Sequence, residues 1–104
     1  MFQKIIPFLF ALVLLGATQA LAHTPLCSCW DNGDGTITCE GGFSDGSSAS
    51  GVAMHVLDAS GKAIESGKMS QTSEFTFKKP AGDFKVKFDA GEGHQIEIPG
   101  SEIH

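Results

Sequence analysis

His23, Cys27 and Cys29 stand within seven positions in "HTPLCSCW", and Cys39 follows in "TITCEGG". Imidazoles and thiolates are ligands for late transition metals, and paired thiols are equally the material of a disulfide. His23 offers more than its ring if the mature chain starts there. A free α-amine beside an imidazole gives one residue two nitrogen donors in a chelate. The amine, with a reference pKa of about 8, yields its proton to a metal at small cost. Such a pair suits nickel, cobalt or copper. The amino-terminal copper and nickel motif that recruits backbone amides is excluded, because it needs histidine third and Pro25 there has no N–H. A second side chain must complete the site, and His94, Cys27 and Cys29 are the candidates.

His94 lies in "AGEGH", a glycine-flanked turn of the kind that lets other groups approach closely. His55 falls on the strand face opposite Val52, Met54 and Val56 and reads as a surface or sheet-edge residue. His104 ends the chain and reads as mobile. Met54 and Met69 read as core fillers rather than soft ligands, and Trp30 as a packing anchor beside the cysteines.

"DNGDGT" (31–36) resembles a calcium loop only superficially. With Gly35 as the sixth position, the first is Trp30 and the twelfth is Gly41, and neither can ligate calcium as an EF-hand requires. The plain reading is a tight turn, with Asn-Gly and Asp-Gly supplying positive φ angles. If 29–30 and 36–39 flank that turn as a hairpin, Cys29 faces Cys39. Cys27 is an alternative partner for Cys39, whereas a Cys27–Cys29 bridge suits an extended strand poorly. Every pairing leaves one thiol over. A spare thiol in an exported protein is the strongest hint of chemistry in the chain.

The elements that position these residues begin after residue 22. "MFQKIIPFLFALVLLGATQALA" carries one lysine, an apolar run and small residues at Ala20 and Ala22, as a secretory signal cleaved before His23 would. The run is short for a bilayer span, which needs about 20 residues; an uncleaved anchor is the alternative. "TPLC" lacks the small residue that precedes a lipidated cysteine. The expectation is therefore residues 1–22 as signal peptide and residues 23–104 as a single periplasmic or secreted domain, with no membrane insertion after cleavage. An oxidising compartment makes a disulfide the default.

Residues 23–104 show little helical periodicity. Alternating runs separated by turn residues predict strands at 36–40, 52–58, 63–69, 74–79, 83–89 and 94–98. Val52, Met54, Val56, Phe75, Phe77, Phe84, Val86, Phe88, Ile96 and Ile98 would point inward. This pattern predicts an all-β fold, a small Ig-like or transthyretin-like antiparallel sandwich. The polar segment 41–51 reads as a surface crossover between sheets, in which Phe43 needs a place to pack.

Six lysines, no arginine and twelve acidic residues give residues 23–104 a net charge of −6. That balance argues against nucleic acid or an anionic membrane as partner. No nucleophile elbow, phosphate loop or zinc-protease helix occurs, and Cys-x-Cys lacks a thioredoxin-like βαβ setting, so no enzyme is expected.

"SGVAMHVLDASGKAIESGKM" and "SEFTFKKPAGDFKVKFDAGEGH" resemble the carboxypeptidase-regulatory-like, transthyretin-like β-sandwich family. "HTPLCSCWDNGDGTITCEGGFSDGSSASGVAM" and "KPAGDFKVKFDAGEGH" further resemble small periplasmic accessory proteins of nickel and cobalt energy-coupling-factor importers. That resemblance implies a metal-binding or metal-delivery role beside a membrane importer. It rests on His23, the cysteines and His94. The competing expectation is a disulfide-braced structural or protein-interaction module without metal.

Overall fold

Period-two alternation marks most of the strands in residues 23–104, the part of the chain described by the computed structural model; the expected signal peptide lies outside the described residues. The strands are Pro25–Asp31 (β1), Thr36–Phe43 (β2), Ala53–Asp58 (β3), Ala63–Lys68 (β4), Glu74–Lys78 (β5), Phe84–Asp89 (β6) and Gln95–Pro99 (β7). They form two antiparallel sheets, ordered β1-β2-β5 and β4-β3-β6-β7. The expected all-β sandwich is the fold. Ile37, Cys39 and Phe77 from the first sheet and Met54, Val56, Val86 and Phe88 from the second are all buried in one core. Met69, between the sheets, is buried too, as a core filler should be. Burying each large apolar side chain contributes roughly 1.5–3 kcal/mol toward the entropy cost of ordering the chain.

Aspartates punctuate the turns. In the β1–β2 hairpin, Asp31 Oδ1 accepts the Gly33 N–H at 2.8 Å and Asp34 Oδ1 accepts the Thr36 N–H at 3.0 Å. Gly33 and Gly35 take φ of 78° and 91°, which the turn requires and few other residues adopt. Asp45, Asp58 and Asp89 repeat the device, each accepting the N–H two residues on. The hydroxyls of Thr36, Ser47 and Ser60 donate to Asp34, Asp45 and Asp58 and are the leading cause there. They join these backbone bonds in favouring the ionised carboxylate, so all five aspartates titrate below the ordinary range. For Asp31 the Lys79 ammonium, 2.8 Å away, is the leading cause.

The crossover starts later than expected. β2 runs on to Phe43, because Gly41 and Gly42 pair with Cys27 and Leu26 across the hairpin. A Cβ on Gly41 would sit 2.7 Å from both Met69 Sδ and Phe88 Cε2, so glycine is what lets the core close there. Residues 44–52 then pass to the second sheet. Ala49 in that stretch is fully buried, and its N–H donates to Ser73 Oγ at 3.0 Å. Phe43 finds its place against Phe88, edge to face at 6.0 Å between centroids. The last residues are also tied down, against the expectation of mobility. Ile103 is buried, and Asp31 N–H donates to the His104 carbonyl at 3.1 Å.

Candidate metal site

His23 precedes β1 and is therefore not placed by the strand ladder. Its position comes from its neighbour: Thr24 N–H donates to Ser44 Oγ at 3.0 Å, and Ser44 N–H donates to the Thr24 carbonyl at 2.9 Å. This doublet lays His23 over the start of the crossover. There its Nδ1 meets Asp45 Oδ2 at 2.8 Å. The other oxygen of that carboxylate accepts the Ser47 N–H at 2.9 Å and the Ser47 hydroxyl at 2.6 Å. Those Ser47 bonds, helped by His23, hold the Asp45 carboxyl below its usual range.

His94 arrives from the turn between β6 and β7. Its N–H donates to the Gly91 carbonyl at 2.9 Å, and its own carbonyl accepts the Ala90 N–H at 3.0 Å. The ring Nδ1 lies 3.2 Å from the Glu92 carbonyl oxygen. A carbonyl can only accept, so this bond puts a proton on Nδ1. In the neutral ring it leaves the Nε2 lone pair free. His23 and His94, 71 positions apart, line the same pocket of about 270 Å³ together with Phe43, Ser47 and Ala90. No cysteine lines it.

The chemistry of this pocket turns on the atom that Asp45 holds. A chelate through an α-amine closes a six-membered ring only through Nδ1, since Nε2 points away from the main chain. Two adjacent ligand atoms on an ion with bonds of about 2.0–2.1 Å stand ~2.9 Å apart at right angles. The 2.8 Å between His23 Nδ1 and Asp45 Oδ2 is close to that separation, so a cation can replace the bridging proton without moving either atom far. Sequence reading missed Asp45, because "SDGSS" carries only the signature of a turn. The two rings and the carboxylate are not gathered into a closed set. Among the described residues, the only cluster of three or more metal-capable side chains is Cys27, Cys29 and Cys39. The His23 side chain is 67% exposed, so its ring can turn toward an ion at little packing cost.

Cys29 and Cys39 are register partners and are joined by a disulfide. Cys29, a candidate for either role, thus takes the structural one, and the alternative Cys27–Cys39 bridge is not adopted. Cys27 remains a free thiol, half-buried on the inner face opposite Gly41. Burial pushes it up to about 11, so it stays protonated at neutral pH and is not a ready nucleophile. The same alternation that turns Cys27 and Cys29 inward turns Trp30 outward. Expected as a packing anchor, it is instead among the exposed hydrophobic residues. His55 lies on the outer face of the second sheet, with Nδ1 2.8 Å from Ser66 Oγ, and takes no part in the pocket.

No helix among the described residues is long and apolar enough to cross a membrane. No protein-family model, curated protein or solved structure matches the chain.

Proposed function

We propose that the protein binds a divalent transition-metal ion, nickel or cobalt first and copper as a further candidate, in the pocket lined by His23 and His94. The carrying observation is that two histidines far apart in sequence reach one small pocket, one of them already paired with a carboxylate. In this reading, cleavage before His23 frees the α-amine. The amine and Nδ1 chelate the ion, Asp45 Oδ2 replaces the bridging proton with a metal bond, and His94 Nε2 closes the set. A nitrogen-rich set with one carboxylate suits nickel and cobalt, while thiolates would have favoured softer ions. The Cys29–Cys39 disulfide is consistent with an oxidising compartment. Release of the ion to a membrane importer from the periplasm is the role this binding would serve.

Calorimetric titration with nickel tests the assignment on protein that begins at His23. His23→Ala should abolish binding, and Asp45→Asn or His94→Ala should weaken it by about 10–100-fold. One residue added before His23 blocks the amine and should weaken it as well. Nickel affinity unchanged in His23→Ala removes this reading. The second reading, a disulfide-braced interaction module without metal, is favoured by Leu26 and Trp30, which stand exposed on the outer face of β1.

A further inference from the structure

We propose that Cys27, Cys29 and Cys39 form a second, redox-gated site, which takes a thiophilic Cu(I) ion once the Cys29–Cys39 bond is reduced. It stands apart from the histidine pocket and does not depend on it. The three sulfur atoms all lie within 4.8 Å of one another. Donor sulfurs around an ion with metal–sulfur bonds of about 2.3 Å stand ~3.8–4.0 Å apart, so Cys27 needs to close by no more than about one ångström. The Cys29 and Cys39 sulfurs, bonded in the oxidised form, must move apart once freed. Strand geometry makes the cluster unavoidable. Cys27 and Cys29 share the inner face of β1, and Cys39 is the direct partner of Cys29 on β2.

A fourth soft donor stands beside them. Gly41 is the partner of Cys27, and Met69 Sδ occupies the space that a Gly41 side chain would fill, 2.7 Å from its Cβ position. Facing Cβ positions in an antiparallel pair are about 4.5–5.5 Å apart, which places the thioether within one side chain's reach of Cys27. A thioether is neutral, so it adds a bond without adding buried charge. Thiolates and thioethers in a largely apolar setting select Cu(I) over the harder divalent ions. Cys39 is fully buried on the middle strand, while Cys27 and Cys29 are half-buried on the edge strand β1. The ion therefore enters from the β1 side.

The gate is a thiol–disulfide exchange. A dithiol reductant attacks the Cys29–Cys39 bond and passes two electrons and two protons to its sulfurs, and its own sulfurs become joined as a disulfide. Each Cu–S bond to a cysteine then replaces an S–H bond, with the proton leaving to solvent. Reverse exchange with the disulfide form of the reductant re-forms Cys29–Cys39, consumes two of the donors and releases the ion.

The test uses a His23→Ala/His94→Ala background, so that copper uptake reports sulfur alone. Protein reduced by a dithiol, then freed of it without air, is titrated with Cu(I) held by a chromophoric competitor. The reduced form should remove about one ion per chain from the competitor, and the oxidised form none. Cys27→Ser, which keeps both cysteines of the disulfide pair, should lose that uptake when reduced. Equal uptake by the reduced parent and Cys27→Ser overturns the proposal, and so does uptake by the oxidised form. Amide NMR dispersion that collapses on reduction overturns it equally, because copper would then be held by an unfolded chain.

Discussion

The histidine pocket and the cysteine cluster draw on the same eight residues of sequence, yet the fold sends them to different environments. Cys27 and Cys29 lie within β1, where alternation commits them to the core side and the hairpin register delivers Cys39 opposite. Their geometry follows from the ladder, and their reactivity is restrained by burial and by the disulfide. His23 lies two residues before the strand and is placed by Thr24, Ser44 and Asp45, in a region of turns and solvent. One region is rigid and quiet, the other open and available. A donor's chemistry here depends less on its type than on whether a strand has claimed it.

Phe88 joins the two regions, since it packs against Phe43 at the pocket and lies beneath Gly41 at the cluster. Phe88→Ala should damage both, costing about 3–5 kcal/mol in a denaturant melt. A loss below about 1 kcal/mol would mean that the two regions do not share a core.

Removing only the disulfide should separate them. Cys29→Ala with Cys39→Ala opens a crosslink spanning 10 positions and should cost about 2–3 kcal/mol of stability. Nickel affinity should stay as in the parent; a parallel loss of affinity would show the pocket leaning on the cluster.

The contrast in reactivity is checked at Cys27. A thiol raised from 9.0 to about 11 has about 100-fold less thiolate at neutral pH than an exposed cysteine. Alkylation should be slow by roughly that factor and should still be accelerating above pH 9. A rate that levels off near pH 9 would contradict the buried placement.

The smallest effect concerns the turns. The five turn aspartates titrate lower in the folded protein than in the unfolded chain, so their stabilisation is complete above the ordinary carboxylate range. It should fade as pH falls from about 4 through their lowered values, and asparagine at Asp58 should flatten that part of a circular-dichroism acid titration. An acid limb identical to the parent's would remove Asp58 from the account.

The strands were legible because alternation is local: Met54, Val56, Phe77, Val86 and Phe88 announce their inward face by spacing alone. The Cys29–Cys39 pair was legible in part: reading "DNGDGT" as a turn sets the two on facing strands, but Cys27 stood as an equal alternative until the register placed it opposite Gly41. The continuation of β2 through Gly41–Phe43 was not, because two glycines look like a loop until Met69 and Phe88 are seen to need their missing side chains. Trp30 was misread by chemistry, as a large ring expected inside, when the parity of Cys29 already placed it outside. Asp45 was illegible: five aspartates make the same turn bond, and only the Thr24–Ser44 doublet, a contact across 20 positions, brings His23 to this one.

The central claim, that His23 and His94 grip one ion, is tested most directly by following all four histidine rings in nitrogen-15 NMR. The protein, starting at His23, is titrated with a divalent ion. Paramagnetic cobalt should broaden the His23 and His94 ring signals together at the first equivalent, leaving His55 and His104 sharp. Broadening of His23 without His94, or of all four rings alike, would contradict a site shared by the two ends of the chain.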